Sequence, residues 1–244
     1  MKDSSKYATE IQKFYRSLKR KRPKVKKVEY EDVTESLIHG AVLEHMNESA
    51  VEASFKKLAN YFVDFNDMRV SRAEEVVEML GQDSEEARKA GTSVIRILAA
   101  IFRRYNNVDL SALRKAGKRQ ARVILEKFDG TSNFSIDYCM LTALRGHAVP
   151  LTEAMIKYLR DNNLIHPEAE RSDIEGFLTR QISAANAYEF YAFLRRESES
   201  KAAGIAKRKT ATRTRTSESK TQTTTGKKEQ ELTTDEKGVL ISDA

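Results

Sequence analysis

The chain is poor in the residues that break or staple a fold: its 244 residues contain one cysteine, three prolines, ten glycines and no tryptophan. A single thiol, Cys139, excludes an internal disulfide and any all-cysteine zinc or iron–sulfur centre built within one chain. It also suits a reducing compartment. So few prolines and glycines favour helices over a sheet with many tight turns. No apolar run approaches the ~20 residues of a membrane-spanning helix, and the N-terminus has no apolar signal core. A soluble, intracellular chain, cytoplasmic and without a membrane partner, is therefore expected. What is present in quantity is apolar surface and charge: 40% of residues are hydrophobic, enough for a sizeable core, and 32% are charged.

The net charge of +7 is spread unevenly. Residues 1–27 hold eleven Lys/Arg against two acids, residues 198–244 hold ten against seven, and the stretch between carries a net −5. Affinity for polyanions from bulk charge must then reside in the ends or in a local patch. Residues 1–28, with Lys19-Arg20-Lys21-Arg22-Pro23-Lys24, read as a solvated basic arm. Residues 198–244 are rich in Ser, Thr and Lys and cannot bury enough apolar surface to offset ordering entropy, so they read as a disordered tail. Either end can serve as a solubilising linker or as a non-specific phosphate-binding arm. Residues 29–197 remain as the folded domain.

In that domain the helical period dominates and no strand alternation persists. Val51, Phe55, Leu58, Ala59 and Phe62 share a helix face. Ser71 with Glu74, and Ser172 with Glu175, have capping-box spacing, and Gly81 is a natural stop. Ser84 can cap a long helix burying Ala87, Gly91, Val94, Ile95, Leu98 and Phe102, and Asp109 can cap a short one. Further helices are expected over 118–127, over 133–145 with Ile136, Met140, Leu141 and Leu144 inward, and around Leu151–Leu159, Phe177–Ile182 and Ala187–Leu194. The fold class is all-α.

The informative stretch is 118–163. Two short helices flank Phe128-Asp129-Gly130-Thr131-Ser132, and a third helix follows Gly146-His147-Ala148-Val149-Pro150. Gly130 permits a positive-φ turn. The amides of Gly130, Thr131, Ser132 and Asn133 would open the second helix with unpaired N–H groups, a geometry that binds a phosphate oxygen. Phe128 would anchor the turn. This segment resembles the helix-hairpin-helix of the endonuclease III, or HhH-GPD, superfamily of DNA glycosylases, whose hairpin runs Leu-Pro-Gly-Val-Gly. Phe128, Gly130 and Ser132 fall on its first, third and fifth positions. Upstream, Asp64-Phe65-Asn66-Asp67-Met68-Arg69-Val70-Ser71 is similar to an Asp-Trp/Phe-Asn-Glu-Val-Arg-Val-Ser sequence of one endonuclease III-like subgroup. The resemblance spans roughly residues 40–197. It implies an HhH-GPD helical domain, a link to base-excision repair and duplex DNA as partner, in a nucleoid-associated setting.

The chain departs from that pattern at the reacting positions. By the resemblance, the superfamily's catalytic Asp position is held by Pro150 and its lyase Lys position by Phe134, which cannot form a Schiff base. Glu153 is a weak substitute carboxylate, and Asp137 another. The four-cysteine iron–sulfur loop of many members is missing, so no cofactor is expected. Asp129 replaces the hairpin proline and would repel a phosphate. Glycosylase and lyase activity are accordingly expected to be lost.

Residues 101–127 nevertheless hold Arg103, Arg104, Arg114, Lys115, Lys118, Arg119, Arg122 and Lys127 against Asp109 and Glu126. Lys118, Arg119, Arg122 and Lys127, next to the hairpin, are candidate phosphate contacts, the alternative being an ordinary solvated face. Tyr105 and Tyr138 could stack on a base, though packing inside the protein suits each better. The histidines at 39, 45, 147 and 166 lack metal-ligand spacing, so no metal is expected. The residues thus point to non-specific duplex binding. An active glycosylase with a relocated carboxylate, or a helical protein-interaction scaffold, are the alternatives.

Overall fold

The computed structural model describes residues 4–201 apart from residue 82; all but the first few residues of the expected tail at 198–244 lie outside them. The described residues contain helices and no strand. In order these are α1 (Ser4–Lys21), α2 (Val33–Leu43), α3 (Glu48–Tyr61), α4 (Phe65–Val70), α5 (Ala73–Leu80), α6 (Glu85–Tyr105), a 3-10 turn (Ser111–Arg114), α7 (Lys118–Leu125), α8 (Asn133–Thr142), α9 (Glu153–Asp161), α10 (Arg171–Gln181), a second 3-10 turn (Ala184–Asn186) and α11 (187–201).

Side-chain caps start most of these helices. Asp32, Asn47, Asp64, Ser84 and Thr152 each accept from a backbone N–H in the first turn of the helix that follows. Gly81 ends α5 in the left-handed region at φ 78°, as its position in the sequence suggests. The two expected capping boxes do not form. Ser71 instead closes α4, its hydroxyl donating to Met68 O at 2.8 Å, and α5 and α10 start behind Arg72 and Glu170 without a side-chain cap.

The centre of the domain is the pair α2 and α8. Gly40 lets their backbones meet: a Cβ there would lie 3.1 Å from both Cα and O of Ser135. Ser36 and Thr142 share a hydroxyl hydrogen bond at 2.8 Å across the same interface. Residues Phe134 to Thr142 are all buried. The expected inward residues Ile136, Met140, Leu141 and Leu144 are buried, and the rest of α8 beyond Asn133 is buried with them, because the helix is surrounded rather than laid on a core. α6 covers α2 on one side, α3 to α5 pack beside it, and the α3 face differs from expectation in one place: Ser54 is buried and bonded to Ala50 O and Leu80 O, while Ala59 is exposed.

The basic arm expected over residues 1–28 requires correction. Residues 4–21 form α1, whose Tyr7, Ile11, Tyr15 and Leu18 are buried in the common core. The i, i+4, i+8, i+11 spacing of these residues is an apolar helix stripe that lysine and arginine outnumber but do not interrupt. Long-range bonds fix it in place: Tyr15 Oη donates to Glu189 at 2.5 Å, Gln12 Nε2 to Gln181 O at 2.6 Å and Arg22 to Glu197 at 2.6 Å. Tyr15→Phe is expected to lower stability by about 1.5 kcal/mol, the worth of a hydrogen bond to a charged acceptor. Urea denaturation checks this, and a loose arm would show no change.

Candidate nucleic-acid interface

α7 and α8 are joined by residues 126–132, which turn back on Gly130. Its φ is +90°, and a Cβ there would come within 2.8 Å of Arg96 Cβ and 2.9 Å of Ser93 O. Only glycine meets both the conformation and the approach to α6. Phe128 is 4% exposed and anchors the turn as expected. Thr131 Oγ1 donates to Leu125 O and Phe128 O at 3.1 and 2.8 Å, taking up carbonyls that the end of α7 leaves over.

The unpaired amides expected at residues 130–133 are mostly spoken for. Thr131 N–H donates to Phe128 O at 3.4 Å, and the Gly130 amide supports the Asp129 carboxylate. Ser132 and Ser135 form a capping box: Ser132 N–H donates to Ser135 Oγ at 2.9 Å, and Ser135 N–H to Ser132 Oγ at 3.1 Å. Asn133, exposed, stands at the mouth of α8. The mouth also holds a carboxylate that the sequence did not reveal, because Ser132 Oγ donates to Glu44 Oε2 at 2.5 Å. Glu44 ends α2, where a negative charge is unfavourable, and the positive end of α8 offsets that cost. An acid in the last turn of a helix is the one local hint that it has a distant partner.

Asp129 does not face a phosphate unopposed. Arg96 of α6 grips it with two hydrogen bonds, at 3.0 and 2.5 Å, which hold its carboxyl below the usual aspartate value. Of the four basic candidates, Lys118, Arg119 and Lys127 are exposed. Arg122 is withdrawn: it pairs with Asp137, whose side chain is 4% exposed, and approaches Glu126 at 3.7 Å. Burial pushes the Asp137 carboxyl up, against the pull of Arg122. Arg114 is likewise committed, donating to Tyr30 O and, at 2.7 Å, to Glu31 O. Tyr105 is 37% exposed and packs edge-on to Phe128, whereas Tyr138 is buried.

Of the positions of interest for catalysis, Phe134 and Pro150 are buried and Glu153 is exposed. Phe134 is 1% exposed, stacked with Tyr138 and tilted against Tyr191, with the Arg195 guanidinium 5.8 Å above its ring. Pro150 is buried just before the Thr152 cap of α9. Glu153 lies in the first turn of α9 with its side chain 81% exposed and paired to Arg171 at 2.6 Å. Beside these residues a cavity of about 370 Å³ is lined by Glu44, His45, Thr152, Glu153, Arg195 and Glu199, among others. Burial lowers the pKa of His45. Arg195 is itself buried and engaged with Leu43 O and Met46 O at 2.8 and 2.7 Å and with Glu199 at 2.8 Å. His39 is stacked on Tyr138 and lowered by burial to about 4, and His147 bonds Ile182 O at 2.8 Å.

No protein-family model and no curated protein sequence matches the chain. Solved structures do. An endonuclease III trapped as a covalent intermediate with DNA matches over 80% of this chain and 85% of its own, at 13% identity and a TM-score of 0.58. The H. pylori 3-methyladenine DNA glycosylase MagIII, bound to 1,N6-ethenoadenine, matches over 82% and 98%, at 15% identity and a TM-score of 0.58. The Clostridium acetobutylicum 8-oxoguanine glycosylase/lyase, with duplex DNA, matches over 70% and 60%, at 13% identity and a TM-score of 0.53. With its central α2–α8 pair and the turn between α7 and α8 in place, the chain has the all-helical fold of the HhH-GPD DNA glycosylases.

Proposed function

We propose that the chain is a duplex-DNA-binding member of this fold group that has given up base excision, and that it requires no cofactor. The observation that carries the proposal is Pro150, buried at the position where the resemblance places the catalytic aspartate and without a carboxylate to offer. Phe134, which fills the core at the lysine position of lyase-competent members, removes the Schiff-base route as well. Phosphate contacts then fall to the exposed Lys118, Arg119 and Lys127 side chains and to Asn133, rather than to the amides of Gly130, Thr131 and Ser132. Arg96 offsets the charge of Asp129 at the same turn. Such contacts position a duplex and read no sequence.

A second reading has one observation in its favour. Glu44 lines the cavity and bonds the turn, so it is better placed than Glu153 or Asp137 to act as a relocated carboxylate. One experiment separates the two readings. Duplexes carrying ethenoadenine, 8-oxoguanine or an abasic site are incubated with the protein, followed by alkali or borohydride. Retention of the duplex without base release or covalent trapping is the expected result. Base release that disappears in Glu44→Gln would establish the second reading, and absence of retention at low salt would leave only a helical interaction scaffold.

A further inference from the structure

The cations at the start of the chain are displayed on a fixed surface. α1 is held by its buried stripe, and so is the position of its outer face, where Lys13, Arg16 and Arg20 recur at three- and four-residue spacing. Several cations of this region have acidic partners: Lys13 with Glu10, Lys19 with Glu189, Arg22 with Glu197 and Lys27 with Glu29. Arg16, Arg20, Lys21, Lys24 and Lys26 are exposed and have no ion pair among the described residues. The favourable field at the end of a helix accounts for Arg20 and Lys21, in its last turn, but not for Arg16, Lys24 or Lys26.

The chain leaving α1 runs to the base of α7. Tyr30 N–H donates to Thr142 O at 3.2 Å, and Arg114 bonds the carbonyls of Tyr30 and Glu31. The exposed Lys115, Lys118 and Arg119 follow directly. Two acids lie near the Lys24–Lys27 run: Glu29, held by Lys27 at 3.1 Å, a contact that keeps its carboxyl below the usual range, and Glu189, which pairs with Lys19 and also feels Lys24.

From this arrangement we infer that α1 and residues 22–27 form a second phosphate-contacting surface, joined to the α7 face through Arg114, so that a duplex is gripped along both. The inference rests on the reading of the chain as a DNA binder and extends its footprint. An anionic membrane is the poorer fit. A helix lying on lipid needs an apolar face to insert, and that of α1 is consumed by the core.

The test is the salt dependence of retention of a 30-base-pair duplex by the full chain, between about 50 and 200 mM salt. Each lost phosphate contact lowers the log–log slope by about 0.9, so Arg16→Gln/Arg20→Gln/Lys24→Gln is expected to lower it by about 2–3. Arg16→Lys/Arg20→Lys/Lys24→Arg should restore it, which a fold defect would not allow. Lys118→Gln/Arg119→Gln/Lys127→Gln is measured in parallel. If that variant lowers the slope while the α1 variant does not, the second surface is refuted and the DNA-binding reading stands. If the unsubstituted chain retains no duplex at all, both fall. If phosphatidylserine vesicles bind the chain and lose it on the α1 substitutions while the duplex slope stays put, the surface belongs to a membrane and the inference is overturned.

Discussion

Phe134→Lys is expected to cost more than about 4 kcal/mol of folding stability and to yield no Schiff-base chemistry. Emptying a buried phenylalanine site costs about 3–5 kcal/mol by itself, and a lysine there must also shed its charge or leave it unpaired. The ring it replaces is stacked on Tyr138 beneath Arg195, a cation that would repel an ammonium. The measurement is urea denaturation together with borohydride trapping on abasic DNA. A variant within about 1 kcal/mol of the parent that also forms a covalent adduct would show that residue 134 opens to the cleft, and would remove the support for lost lyase chemistry.

Arg122→Ala is the second substitution with a large expected effect, about 3 kcal/mol near pH 7. Breaking a buried ion pair from one side costs roughly 3–5 kcal/mol, and the lower end applies because Arg122 itself is 35% exposed. The loss should depend on pH with a definite sign. Burial already raises the Asp137 carboxyl, and without Arg122 the rise is larger. A carboxyl raised on folding contributes stability below its unfolded value, and that contribution is lost as pH rises through the folded value. The deficit should therefore be small near pH 4 and grow toward pH 7, around an unfolded value of about 3.9. Denaturation midpoints at several pH values give the comparison. A loss below about 1 kcal/mol, flat with pH, would mean that the Arg122–Asp137 pair adds little net stability. The same experiment bears on function, because Arg122 is tied to Asp137 and is not counted among the proposed phosphate contacts.

What could be read from the sequence follows a physical line. Local signals held: Ser84 caps α6, Gly81 stops α5, Gly130 turns the chain and Phe128 anchors the turn. These depend on a few adjacent residues. The inward residues expected for α8 held, but its burial all round was not legible, because its polar Ser135, Asp137 and Thr142 are buried as well. α1 was misread because eleven cations in 27 residues outweigh four apolar positions in any composition count, and because Glu189, its anchor, lies 174 residues from Tyr15. The candidate site shows the same division. That residues 118–142 would form two helices about a glycine was legible. That Glu44 would sit on Ser132, or Arg96 on Asp129, was not, since partners 88 and 33 residues apart leave no mark in spacing.

The only thiol in the molecule sits in the middle of α8 with 0% of its surface exposed, its sulfur donating to Val33 O at 3.6 Å. Burial pushes it up to about 12. Alkylating reagents require a thiolate they can reach, so modification must wait until α2 and α8 separate. Cys139 is thus an intrinsic clock for the opening of the molecule's most enclosed seam. Its labelling rate, followed by mass, would report how often the central helix pair parts and whether bound duplex slows that event.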